Sequence, residues 1–258
     1  MDWDDETTLG FLDLRESPPL RAIALGPQGP TQTHSRPAPL VCGDGQVYWC
    51  KGHAQQGLVV ELIAGRLAHL VGVGGPSVTV DVAAQLLPED GSLGHLVGNV
   101  VGTRHREDMV NARDLAVLLG GSSLSPDSLD HGSRACVIAF QSWLGIQDAQ
   151  VMVGMTSGRV VSIDHADCFG NVTRPSEPTP VIVDIPGVPA DLARDPSFVE
   201  RAVTPIETMS DERLLETCAC AAQGPAWGSD VRRRLNIAAW LAERKGKLRG
   251  MMEQWCAN

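Results

Sequence analysis

The sequence predicts an α+β fold in two unequal parts, a small strand-rich part followed by a larger, mainly helical one. Three observations carry this. Short strand-like runs crowd the chain before residue 104, among them a hairpin signal around Gly43-Asp44-Gly45. After residue 104 the apolar residues recur at helical spacing. One strand-like patch, Arg159 to Ile163, interrupts the helical half and ends on Asp164.

In chain order, residues 1–19 begin Met1-Asp2-Trp3-Asp4-Asp5-Glu6. This start is acidic, has no apolar run behind it, and is expected to be poorly ordered rather than a secretory leader. Leu20 to Leu25 reads as a first strand. The loop Gly26 to Pro37, which includes Ser35 and Arg36, is rich in Gly, Pro and hydroxyls. Its backbone N–H groups suit a phosphate, but its prolines remove donors, and a plain linker fits as well. Ala38–Cys42 and Gln46–Lys51 form the hairpin, with Val47, Trp49 and Lys51 on one face by the period of two.

Residues 55–73 read as a helix with an apolar stripe of Val59, Ile63, Leu67 and Leu70. Glu61 lies off that stripe, and its helical neighbours Gly57, Ala64, Gly65 and Ala68 are all small. Such a face allows close approach, with Glu61 pointing into the contact and Lys51 as its partner. A solvated glutamate is the competing reading. Val78–Val82 and His95–Val101 are further strands. Helices are expected over Glu107–Leu119 and Ser133–Leu144. Another is expected over Asp230–Trp255, capped by Ser229 and bent or split at Gly246. The basic residues of that last helix (Arg232, Arg233, Arg234, Arg244, Lys245, Lys247, Arg249) read as a solvated face, or as a dock for an acidic partner.

Composition excludes some classes. The chain has 258 residues, with 43% hydrophobic and 20% charged, as in ordinary globular proteins. A net charge of −10 argues against nucleic-acid binding. No run approaches the ~20 apolar residues of a membrane span, so a cytoplasmic protein is expected. The 7 cysteines are scattered and read as reduced thiols, and Cys218-Ala-Cys220 lacks the companions of a zinc site.

The chemistry centres on two acids. Asp148 follows the helix that ends Phe140-Gln-Ser-Trp143-Leu-Gly145, and Asp164 follows the strand Val160–Ile163. One carboxylate to orient a hydroxyl and another to hold a metal-bound phosphate is what phosphoryl transfer requires. A turn former and a strand-end cap would look the same.

Taken in order, these residues are similar to the HipA-like kinases. The likeness runs through a hairpin ending in Lys51, a helix bearing Glu61, Phe140-x-x-Trp143-x-Gly145-x-x-Asp148, and Ser162-Ile-Asp164-His165-x-x-x-Phe169. It spans roughly residues 33–255. It implies a bilobal protein-kinase-like fold, with an N-lobe over 20–103 and a C-lobe over 104–258. It implies Lys51 on the ATP phosphates and paired with Glu61, Asp148 as catalytic acid, and Asp164 on Mg2+; Ser35 and Arg36, from the Gly- and Pro-rich loop, are the further candidates for the nucleotide. The phosphoacceptor would be a protein or a small molecule, and residues after Phe169 would take the place of the activation segment.

Two departures bear on activity. The family's catalytic loop carries a metal-binding asparagine. Counting along Asp148-Ala-Gln150-Val-Met-Val153 puts Val153 there, with Gln150 a substitute only if the loop path shifts. Trp49, on the face of Lys51, would crowd an adenine. A pseudokinase acting as a nucleotide- or protein-binding module is therefore the alternative reading.

Overall fold

In the computed structural model, residues 18–27, 36–52, 57–118, 125–169, 177–219 and 231–258 are described (backbone only at 116, 117 and 231). The strand-rich part is not an open sheet. Strands β1 (Leu20–Leu25), β2 (Ala38–Cys42), β3 (Val47–Lys51), β4 (Ser77–Val82) and β5 (Gly98–Arg104) close into a barrel of order β1-β2-β3-β5-β4. Closure comes from a parallel pairing of β1 with β4, while the other neighbours are antiparallel. The closing contact is short, running through Leu20 with Val80 and Arg21 with Asp81.

The barrel is filled by small and medium side chains, Ala22, Ala38, Leu40, Cys42, Tyr48, Cys50, Val80, Val82 and Val100, with Leu93 and Leu96 from a loop. Strand alternation then decides the site. With Tyr48 and Cys50 pointing inward, Val47, Trp49 and Lys51 face outward, on the one shared face that the sequence predicts.

That outer side meets α1 (Leu58–Leu70). The helix is shorter than the expected 55–73, and residues 55 and 56 lie outside the described ones. It packs on β4 and β5, and its apolar residues belong to the larger core formed with the C-terminal helices. The expected single stripe is too narrow. Leu58, Val60, Leu62, Ala64 and Ala68 are buried as well as Val59, Ile63 and Leu67, whereas Leu70 is exposed. Gly65 permits the close approach, since a Cβ there would collide with the Ser77 side chain on β4.

The helix expected over Glu107–Leu119 is mostly something else. A strand, β6 (Met109–Asn111), and a single 3-10 turn precede a short α2 (Leu115–Leu118). Met109, Ala112, Ala116 and Leu119 mimic helical spacing, but β6 satisfies its backbone by pairing with β7. Strands β7 (Gln150–Gly154) and β8 (Val160–Ile163) complete a sheet of order β6-β7-β8.

Helix α3 (His131–Leu144) matches expectation closely. Asp130 caps its first turn by accepting from the Ser133 amide at 2.9 Å. Gly145, at φ 65°, ends it, with Ile146 N–H donating to Gln141 O and Gly145 N–H to Ser142 O, a Schellman closure. Helices α4 (Phe198–Glu207) and α6 (Val231–Ala257) pack on α3, while α5 (Asp211–Ala219) packs against α6 and α1.

The last of these is unbroken through Gly246. The stripe of Leu235, Ala238, Leu241, Leu248, Met252 and Trp255 is buried along its length, so packing holds the helix together where propensity alone would weaken it. Its basic residues do not form one solvated face. Arg234 and Arg244 are buried. Arg244 donates to the Trp143 and Ser142 carbonyls and lies over the Trp240 ring. Lys245 pairs with Asp211, Lys247 with Glu177 and Glu243, and Arg249 with Glu200 and Glu207.

The described cysteines are free. Burial raises the Cys42 thiol to about 11 and Cys218 to about 12, which keeps both inert. Apart from Pro18 and Pro19, the N-terminal segment expected to be poorly ordered lies outside the described residues. So do Ser35, Cys220, Ser229 and Asp230, and 170–176 of the expected activation segment. No helix among the described residues is long and apolar enough to cross a membrane.

Candidate active site

Three charged side chains from distant parts of the chain meet at one point. Lys51 Nζ, at the end of β3, lies 3.2 Å from Glu61 Oε2 on α1 and 2.7 Å from Asp164 Oδ1 just past β8. The predicted Lys51–Glu61 pair is thus present, and Asp164 joins it directly. Lys51 and Glu61 are largely buried, while the Asp164 side chain is 29% exposed. Burial alone would lower the Lys51 ammonium. The neighbouring Glu61 and Asp164 carboxylates more than offset this, so its pKa moves up and the charge is retained.

Asp164 holds an unusual backbone conformation, φ 54°. This left-handed region strains most residues, although aspartate tolerates it better than bulky ones. Two contacts maintain the conformation, the Lys51 ion pair and the next amide, His165 N–H, which donates to Glu61 Oε2 at 2.9 Å. Strain of this kind persists where surrounding contacts over-determine the chain.

Sheet register brings Asp148 to the same end of the β7–β8 hairpin. Gln150 pairs with Ile163, so Asp148 precedes the start of β7 just where Asp164 follows the end of β8. Asp148 Oδ1 accepts from Arg113 Nη2 at 2.7 Å, and its Oδ2 accepts from Gln150 Nε2 at 3.1 Å. Gln150 therefore lies beside the acid. Val153 is buried mid-strand, paired with Val110 and Val160, and far from any ligating role. The loop is shorter than the residue count along the sequence suggested, because β7 begins two residues after Asp148.

Trp49 donates from Nε1 to His105 Nδ1 at 3.0 Å, at the point where the chain leaves β5. It does stand on the Lys51 side. Arg36, at φ 40°, is exposed, and its carbonyl accepts from or faces His95 Nε2 at 3.1 Å. This fixes the end of the loop that enters β2 but gives Arg36 no contact with the Lys51 cluster among the described interactions.

Sequence reasoning missed two features. Arg113, the partner of Asp148, carries no motif or spacing signal. Behind the triad, His165 Nε2 meets Ser162 Oγ at 2.9 Å, and Ser162 Oγ meets Gln141 Nε2 at 2.9 Å. Burial pulls the His165 pKa below its ordinary value, favouring the neutral ring. The signal for this group was only a lone serine in the apolar strand β8 and a glutamine within α3, which no single-element pattern isolates.

The donor set suits a hard cation of the magnesium kind. Among the described residues no group of three or more His, Cys, Asp or Glu could hold a metal by itself. Magnesium sites, however, use one or two carboxylates and leave the rest to substrate phosphates and water. Lys51 takes Asp164 Oδ1, and no described residue donates to Oδ2, so that oxygen fits such a role.

No family model matches the sequence, and no curated protein does. Solved structures do match. The Helicobacter pylori proinflammatory kinase CtkA aligns with TM-score 0.55 at 10% identity, over 93% of this chain and 99% of that one. The Golgi casein kinase, in a structure with Mn/ADP bound, aligns with TM-score 0.47 at 10% identity, over 97% of this chain and 76% of that one. The CtkA likeness defines the class by fold. This chain has a protein-kinase-like fold of mixed strands and helices.

Proposed function

We propose that the protein is an ATP-dependent phosphotransferase of the HipA-like kind, acting on an alcohol group of a protein or small molecule. The observation that carries this is the convergence of Lys51, Glu61 and Asp164 within 3.2 Å, each contributed by a different element. In this reading the barrel, residues 20–103 with α1, is the N-lobe, and residues 104–258 are the C-lobe.

Lys51 neutralises nucleotide phosphates, and Glu61 holds its ammonium in place. Asp164 and Gln150 would hold the metal, which supplies charge neutralisation on the transferring phosphoryl group when bound. Asp148 orients the acceptor hydroxyl, and Arg113 keeps its carboxylate from turning away. A low-dielectric setting around Lys51 and Glu61 strengthens each of these electrostatic effects.

A second reading, a pseudokinase that binds nucleotide or a partner without transfer, is favoured by one observation. The Trp49 indole stands beside Lys51 and is tied to His105, on the side where an adenine would enter.

Thermal-shift titration with ATP, with and without Mg2+, separates the readings, followed by transfer from labelled ATP. Saturation at 100 times Kd would stabilise the protein by about 2.7 kcal/mol. The magnesium-dependent part should vanish in Asp164→Asn, and transfer should be lost in Asp148→Ala. Binding without transfer in the wild type selects the pseudokinase. No shift at millimolar ATP removes the nucleotide site altogether.

A further inference from the structure

The buried polar atoms behind the triad form a chain of hydrogen bonds whose first member, the Gln141 amide, has its orientation fixed by a backbone carbonyl. Gln141, on α3, places Nε2 3.2 Å from the Gln150 carbonyl and 2.9 Å from Ser162 Oγ. A backbone carbonyl only accepts, so the nitrogen of the Gln141 amide must face it. Turning the amide over would set Oε1 against that carbonyl. The amide keeps both donors engaged even though its own Oε1 has no partner among the described residues.

Gln141 occupies one lone pair of Ser162 Oγ, and the other described partner of that oxygen, His165 Nε2 at 2.9 Å, is the acceptor available to the serine proton. His165 Nε2 is then the acceptor, and a neutral ring must carry its proton on Nδ1. Nδ1 faces Glu61 Oε1 at 3.9 Å, while Glu61 Oε2 takes the His165 backbone N–H and Lys51 Nζ. Glu61 Oε2 is thus the engaged oxygen, and the chain that starts at the first residue of β7 reaches it through the His165 backbone N–H, the ring itself standing too far from Oε1 for a hydrogen bond. Gln141, Ser162, His165 and Glu61 are all buried, so water does not compete for these partners.

We propose that Gln141, Ser162 and His165 form a positioning chain that fixes Glu61, and through it Lys51, in register with the strand that begins beside Asp148. Its relevance to catalysis rests on the phosphotransfer reading; its geometry does not. A glutamate side chain on a helix samples several rotamers, and this chain selects one. The Lys51 ammonium is thereby held at a set distance from the Asp148 end of the hairpin, the kind of alignment that phosphoryl transfer depends on.

The test uses the full chain without nucleotide, labelled with 15N, with the His165 ring signals assigned by their loss in His165→Phe. The wild-type ring should carry its proton on Nδ1, and the His165 backbone amide should resist exchange. Ser162→Ala should release the tautomer and speed exchange of that amide about tenfold. Ser162→Thr, which keeps the hydroxyl, should restore both. Gln141→Met is the second variant, and should release the tautomer in the same way if Ser162→Ala folds poorly. With ATP, Ser162→Ala should slow transfer about tenfold, with recovery in Ser162→Thr.

A wild-type ring protonated on Nε2 would overturn the proposal, as would a Ser162→Ala protein in which tautomer and exchange both stay unchanged. If both move as expected but the wild type binds no ATP, the phosphotransfer reading falls, and the chain stands as the device that fixes Glu61.

Discussion

Lys51 has two carboxylate partners, but they do not depend on it equally. Glu61 is buried, so deleting the ammonium leaves it as an uncompensated charge, a change that costs about 3–5 kcal/mol in comparable buried pairs. Chemical denaturation of Lys51→Met should find a loss in that range, with most of it recovered in Lys51→Met/Glu61→Gln. A double variant as unstable as the single one would mean the ion pair is not the cause. Asp164 is partly exposed, and its removal leaves Lys51 still paired with Glu61. Asp164→Asn keeps a residue that tolerates positive φ, so it should cost no more than about 1 kcal/mol. That makes it the cleaner variant for function, because lost nucleotide binding could not be blamed on unfolding. The residues of this site were legible in the sequence where chemistry and local spacing coincide: Lys51 ends a strand, Glu61 sits among small helical neighbours, and Asp164 ends a second strand. Arg113 and the Gln141–Ser162–His165 chain were not, because their partners are set by tertiary register rather than by spacing along one element.

Elements differ in how far their own sequence determines them. Helix α3 is marked at both ends, by Asp130 and by Gly145, and its observed bounds follow those marks. Burial alone would raise the Asp130 carboxyl, but the Ser133 amide and Arg201 outweigh it, and the net shift is downward. A lowered carboxyl pKa contributes stability above its unfolded value, near 3.9, and loses it as pH falls through the folded value. Asp130→Ala should therefore cost about 1 kcal/mol at neutral pH. The difference from wild type should shrink on acidification below about pH 4, as read from paired denaturation curves. A gap that stays constant down to pH 2 would contradict the cap. Gly246 misled for the opposite reason. An interior glycine lowers propensity, yet the buried stripe on either side holds α6 continuous. Nothing lies within 4 Å of a Cβ built there, so Gly246→Ala should stabilise the protein by about 0.5–1 kcal/mol, measured by urea midpoint. The segment after residue 104 was misread because apolar residues in β6 and the turn after it recur three or four apart. A distant pairing partner, β7, decides the outcome, with Val110 set against Val153, and no local pattern contains it.

At the scale of the whole molecule, two apolar clusters stand side by side, a small one inside the barrel and a larger one running from α1 through the helices. The sequence foretold a strand-rich part before a helical one, but not that the sheet would close, because closure depends on the parallel pairing of β1 with β4 across the hairpin between them. The barrel interior is built from small residues such as Ala22, Ala38, Cys42 and Cys50, so it buries less apolar area and should open at lower free energy than the helical core. Lys51 is the charged link from this weaker unit, joining β3 to Glu61 on α1 and to Asp164 beyond β8. Hydrogen exchange should accordingly be faster in β1, β2 and β3 than in α3 and α6. Lys51→Met should accelerate it chiefly in β3 and β5, because the lost tie is local to them. A nucleotide with Mg2+ should act in the opposite sense on the same strands, since a ligand held from both sides of the site stabilises the unit that opens most easily. Uniform acceleration across α3 and α6 in Lys51→Met would mean that the barrel and the helical core unfold as one, and that the triad joins no separable parts.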